Sequence, residues 1–151
     1  MEYRFLTSKF YSAYPQSKYH EIEQKPNRPY TLICITINKH TFAIPMRSHI
    51  THKYAYITDK ANMCGIDFSK AVYISNQNYI DMTTKPHIRQ NEFNYLIGKD
   101  FIVKTKFINY IKQYVKAKKS GDANKMRDFS YSTLPYFEKL IDYEKDIING
   151  K

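Results

Sequence analysis

The chain has 151 residues, 42% of them hydrophobic, and 24 Lys plus Arg against 14 Asp plus Glu, a formal net charge of +10. That length suits one domain around a single core, and the apolar content excludes a disordered chain. No apolar run reaches the ~20 residues of a spanning helix, and the charged start of the chain does not read as a secretory signal, so a bacterial cytoplasmic location and no membrane partner are expected.

The basic excess, with a sequence pI near 9.5, favours a polyanionic partner. Fifteen Tyr, nine Phe and no Trp admit two readings: tyrosines stacked on unpaired bases, or tyrosines packed in the core. Two cysteines form no disulfide framework, and Cys34 within TLICITI reads as a small buried hydrophobe.

In chain order, residues 3–11 alternate loosely and predict a first strand, followed by a loop through Pro15, Pro26 and Pro29. Residues 30–37, YTLICITI, are β-branched and aromatic and predict a strand. Asn38-Lys39-His40 reads as a tight turn into a second strand over 41–46, a hairpin that delivers Arg47 and Ser48 at its exit. Residues 71–75 and 85–90 predict further strands, the latter weakened by Pro86.

From Asn91 the period changes. Phe93, Leu96, Ile97, Phe101, Ile108, Ile111 and Val115 recur mainly at spacings of three and four, which marks one or two amphipathic helices ending at Ser120-Gly121-Asp122. Lys99, Lys104, Lys106, Lys112, Lys116, Lys118 and Lys119 populate the polar side. They read either as a solvated face or as a rail for phosphates. A last helix is expected near 134–148, with Pro135 in its first turn. Strands first and helices after them imply an α+β domain, with helices packed on a strongly bent antiparallel sheet or small barrel.

The chemistry concentrates in residues 47–53. Arg47, Ser48, His49, His52 and Lys53 combine a permanent cation, a hydroxyl, two groups titrating near neutrality and an amine. Cleavage of RNA by its own 2′-hydroxyl needs a base, charge stabilisation on the phosphoryl oxygens and an acid for the leaving 5′ oxygen. On this reading Arg47 and Arg28 hold the scissile phosphate, since a guanidinium keeps its proton and presents a planar fork of donors. His52 is the first choice for proton transfer and His49 the second. Ser48 donates to a phosphoryl oxygen or orients the 2′-hydroxyl. Lys53 and Tyr54 extend the phosphate or base contacts, whereas His20, His40 and His87 read as surface residues.

The segment RPYTLICITINKHTFAIPMRSH (28–49), with its Ala-x-Pro-x-x-Ser end, and the opening YRFLTSKFY (3–11) resemble the RNA-inhibited endoribonucleases of type III toxin–antitoxin systems, the ToxN, AbiQ, CptN and TenpN group, the CptN branch nearest. The resemblance is good over residues 1–55, extends to about residue 120, and is weak in the last thirty. It implies an SH3-like small barrel of the MazF and CcdB kind, elaborated with helices. It further implies metal-free cleavage to 2′,3′-cyclic phosphate and 5′-hydroxyl ends, with no cofactor. The implied partner is a small RNA pseudoknot antitoxin that the toxin cuts from a repeated precursor and that closes with it into a protein–RNA assembly; cellular or phage RNA is the implied substrate. Ser48 matches the family's functional serine, and Arg28 stands where the family has a lysine. The family's N-terminal tyrosine falls on Phe10, with Tyr11 beside it, as candidate RNA contacts. Arg47, Ile50 and His52 depart from the pattern, standing where some relatives have Thr, Lys and Trp.

Two other functions fit the same residues. One is a non-catalytic RNA-binding protein using Lys104, Lys112, Lys116, Lys118, Lys119 and the tyrosines. The other is a metal-dependent nuclease in which His49 and His52, spaced HxxH, are ligands.

Overall fold

The computed structural model describes residues 1–35 and 40–149, the side chains of residues 33–35 excepted. The turn expected at Asn38-Lys39-His40 and the burial expected of Cys34 lie outside what is described.

The fold is α+β. Seven strands make an antiparallel sheet: β1 (Glu2–Leu6), β2 (Tyr30–Ile35), β3 (His40–Arg47), β4 (Ala55–Asp59), β5 (Cys64–Asp67), β6 (Val72–Tyr73) and β7 (Ile80–Asp81). They lie in the order β4-β5-β3-β2-β1-β7, with β6 also on β3. The β2–β3 hairpin places Tyr30 opposite Pro45 and Thr31 opposite Ile44, as the alternation of both segments requires. β3 is the hub. One edge carries β2, while the other is shared by β6 at Phe42 and Ala43 and by β5 at Met46 and Arg47. Both faces of β3 are covered, so Phe42 to Met46 are all buried. Among the described residues β4 and β7 end the sheet without pairing to each other, and it does not close into a barrel.

Among the described residues four α-helices accompany the sheet: α1 (Ser8–Ala13), α2 (Gln90–Leu96), α3 (Asp100–Ser120) and α4 (Ala123–Arg127). The strand expected over 3–11 stops at Leu6. Thr7 turns the chain by donating its amide to the Tyr79 carbonyl at 2.9 Å and its hydroxyl to the Asn78 carbonyl at 2.7 Å. The helix that follows stacks Phe10 and Tyr14, one turn apart, with ring centroids 4.9 Å apart. Residues 85–89 form no strand, because Pro86 cannot donate to a ladder and α2 begins at Gln90.

Of the one or two helices admitted by the sequence the fold has two, with Gly98 (φ +74°) between α2 and α3, and Gly121 (φ +66°) ends α3 as expected. The buried face of α3 differs from the expected stripe. Val103, Phe107, Tyr110, Ile111, Tyr114 and Ala117 face the core, while Phe101 is 81% exposed and Ile97 65% exposed. Tyrosine resolves the difference, because its ring packs inward once its hydroxyl finds a partner. Tyr110 shares a 2.7 Å hydrogen bond with Ser132, Tyr114 donates to Glu138, and Tyr143 donates to the Leu134 carbonyl at 2.6 Å.

The last helix is replaced by a 3₁₀ turn (Leu134–Phe137) and a π-helical turn (Tyr143–Ile148), the latter capped by Asp142 accepting from the Lys145 amide. These turns bury Leu134, Phe137, Tyr143 and Ile147 in a core that runs from Leu6 and brings Phe42 on β3 to 5.2 Å from Phe107 on α3. No helix among the described residues is long and apolar enough to cross a membrane.

Candidate active site

The end of β3 and the two loops beside it wall a groove of about 650 Å³. Residues 24–29 form one side, Met46, Arg47 and Ser48 the floor, and residues 87–89 with Glu92 the other side. Lys25, Arg28, Arg47 and Arg89 line it with one lining carboxylate, Glu92, while Glu23 and Asp67 pair with the first three of these cations from behind, so the groove keeps a small positive excess. The hairpin therefore delivers Arg47 and Ser48 to the same groove, and Arg28 joins them there. Their roles separate on closer view.

Arg47 is held on two sides. Nη1 donates to Asp67 at 2.6 Å, and Nη2 lies 2.8 Å from Glu23. Glu23 also gathers Lys25 at 3.1 Å and Arg28 at 3.4 Å. Burial alone would raise its pKa, but Lys25, Arg28 and Arg47 outweigh it and hold Glu23 below its ordinary value. The chain around 23–28 has no regular structure, and this carboxylate pins it to the end of β3. With both terminal nitrogens facing carboxylates and Nε buried, Arg47 fixes the floor of the groove, and the phosphate-holding role expected of it passes to the other cations there.

His52 is similarly committed. Its Nδ1 accepts the Tyr54 amide at 3.0 Å, which places the ring proton on Nε2, 3.1 Å from Asp67 and 3.3 Å from Ser69. Both nitrogens are engaged internally, so the expected proton transfer to a substrate has no free ring nitrogen here. Asp67 is completely buried at the centre of this cluster and also accepts the amide and hydroxyl of Ser69. Its burial, the largest influence, raises its pKa, yet the bonds from His52, Ser69 and Arg47 together pull it below the ordinary carboxylate value.

Ser48, in contrast, is half-buried, lines the groove and has no side-chain hydrogen bond among the described residues. It also lines a second cavity of about 430 Å³ with His49, Asp59, Asn62, Arg89 and Asn91. His49 is exposed there in a left-handed backbone conformation (φ +56°). Arg89 lines both cavities. Its guanidinium contacts the sulfur of Cys64 at 3.0 Å and pairs with no carboxylate among the described residues, so its charge is free for an anion.

Arg89 and Glu92 were missed because residues 85–90 read as a strand and residues from Asn91 as a helix, both remote from the hairpin, while His87, read as a surface residue, is exposed at the groove. The spacing of an arginine three positions before a buried Glu on α2 was the available signal. Glu92 is only 6% exposed and accepts from Thr58 at 2.8 Å.

Other expected contacts divide. Phe10 is completely buried against Tyr14, Tyr11 and Tyr79 and cannot stack on a base, which corrects its assignment to RNA binding. Tyr11 is partly buried and donates to the Lys25 carbonyl at 3.1 Å, so it supports the groove wall. Lys53 lies 5.3 Å over the ring of Tyr54, which itself stacks on Phe129. Both line a separate pocket with Lys106 and Gln113. Lys104 is half-buried and Lys112 and Lys116 are exposed, whereas Lys118 and Lys119 pair with Glu138 and Glu144. No group of three or more His, Cys, Asp or Glu side chains that could hold a metal ion occurs among the described residues. Comparison with models of known protein families, with curated proteins and with solved structures finds no match to this chain.

Proposed function

We propose that this chain is a metal-independent endoribonuclease whose reactive centre is the groove at the end of β3. One observation carries the reading: the uncommitted Ser48 hydroxyl lies among Lys25, Arg28, Arg47 and Arg89 in a groove that also holds a buried carboxylate and an exposed imidazole. Arg89, with Arg28 and Lys25, neutralises the scissile phosphodiester. Ser48 donates to a non-bridging oxygen. Glu92 takes the proton of the ribose 2′-hydroxyl, whose oxygen bonds to phosphorus. The bond from phosphorus to the 5′ oxygen breaks, and His87 or His49 supplies the proton that oxygen needs. The products are a 2′,3′-cyclic phosphate and a free 5′-hydroxyl, with no net change in protons.

The sequence resemblance extends the proposal to a type III toxin, of SH3-like descent, silenced by a small RNA pseudoknot. A basic groove open to solvent suits both a substrate strand and an inhibitory one. Incubation with single-stranded RNA in EDTA tests the reaction. Cyclic phosphate ends support it. RNA that is retarded but uncut identifies a non-catalytic RNA-binding protein, and cutting that returns only with a divalent ion overturns the metal-free mechanism.

A further inference from the structure

The second cavity beside Ser48 has its own chemistry. Asp59 sits on its wall with all four of its acceptor positions filled. Oδ1 takes the amides of Ala61 and Asn62 at 3.1 and 3.4 Å, and Oδ2 takes Nδ2 of Asn62 at 2.9 Å and Nδ2 of Asn91 at 3.2 Å. A carboxylate so occupied binds nothing further. It instead orients two amides, because both NH₂ groups turn toward it and leave both carbonyl oxygens as acceptors. No donor reaches either of those oxygens among the described residues. The bonds from Asn62 and Asn91 lower the pKa of Asp59, so it stays ionised and keeps that orientation at neutral pH.

The backbone around this cavity is also unusual. His49 (φ +56°) and Met63 (φ +51°) both occupy the left-handed region, and their segments are tied by Ile50 donating to the Met63 carbonyl at 3.0 Å. Non-glycine residues held so cost free energy that the surrounding structure must offset, and they gather at binding sites. The cavity shares Ser48 and Arg89 with the reactive groove, so it adjoins the proposed scissile phosphate.

We infer that this cavity is a nucleobase subsite that selects a base carrying an exocyclic amine over one carrying a carbonyl at the same place. Two amide oxygens accept from amine hydrogens, and the Arg89 guanidinium donates to the ring nitrogen or carbonyl beside them. Cytosine and adenine present an amine next to a ring acceptor. Uracil and hypoxanthine present a carbonyl there, which would face the two oxygens acceptor to acceptor and leave them unpaired. The assignment rests on the proposed reaction for its substrate class, whereas the amide orientation does not depend on it.

The test varies the two nucleotides flanking the cut bond in a short RNA, comparing cytidine with uridine and adenosine with inosine. At one of the two positions the amine member of each pair should be cut with kcat/KM at least about fivefold higher, the low end for one well-made base contact. Asn91→Ala, at an exposed helix position, should bring that ratio near one while leaving the melting temperature unchanged. Equal rates within both pairs at both positions would overturn the subsite and leave the reaction standing. The same RNAs are titrated against the protein by fluorescence anisotropy. Amine preference in binding without any cleavage would refute the reaction and retain the subsite. No measurable binding of any of them would overturn both.

Discussion

Replacing Asp67 with Asn probes the centre of the arrangement, since this carboxylate joins β5 to β3 and to His52 in a fully buried position. The amide keeps the shape and one acceptor oxygen, so bonds from Ser69 survive in part. What it loses is the charge opposite Arg47, where an NH₂ now meets a guanidinium donor 2.6 Å away. Removing one member of a buried ion pair costs about 3–5 kcal/mol. For a domain of this length each kcal/mol moves the melting temperature by about 2–4 °C, so a drop of roughly 6–20 °C is expected at pH 7. The pH dependence has a definite sign. Asp67 is more acidic folded than unfolded, so its contribution is complete above the unfolded value of about 3.9 and fades as pH falls through the lower folded value. Thermal unfolding followed by circular dichroism from pH 7 downward should show a constant gap between parent and variant that narrows below about pH 4. A melting temperature within about 2 °C of the parent at pH 7, or a gap that widens in acid, would refute the role given to this carboxylate.

Other perturbations address the groove and the sheet. Ser48→Ala should abolish cleavage and any inhibition of growth while leaving RNA binding largely intact; full toxicity of the variant would remove the serine from the mechanism. Replacing Lys112, Lys116, Lys118 and Lys119 with Gln should lower the slope of log affinity against log salt for single-stranded RNA by about 1.4 rather than about 2.8, because two of the four already face Glu138 and Glu144. An unchanged slope would move the phosphate contacts off α3. Gly65→Ala would set a Cβ 2.3 Å from the Tyr56 carbonyl, so a loss of at least roughly 1–3 kcal/mol in urea unfolding is expected, and an unaltered midpoint would contradict the close pairing of β4 and β5.

The hairpin and the position of the groove were legible because YTLICITI is β-branched and aromatic with no charge, TFAIPM is apolar, and such segments read locally. The division of labour within the groove was not. Arg47 and Ser48 are neighbours in sequence, yet one turns into a carboxylate cluster and the other toward solvent, and only the arrival of Glu23 and Asp67 from distant segments decides this. The same applies to His52, whose fate depends on the Tyr54 amide and on Asp67. Tyrosine misled in the helical half. A hydrophobic count placed Phe101 and Ile97 on the core face, but Tyr110 and Tyr114 took it once Ser132 and Glu138 satisfied their hydroxyls. Residues 85–92 escaped because Pro86 blurs the pattern and Arg89 precedes a helix instead of ending a strand.

The clasp made by Arg47 bears on how such a protein can diversify. Position 47 joins two acids from separate stretches of chain, so exchanging it would demand simultaneous changes at 23 and 67. Positions 48, 89 and 91 answer to no comparable structural obligation. Novelty in what the molecule grips can therefore accumulate around the rim while the rivet beneath stays as it is.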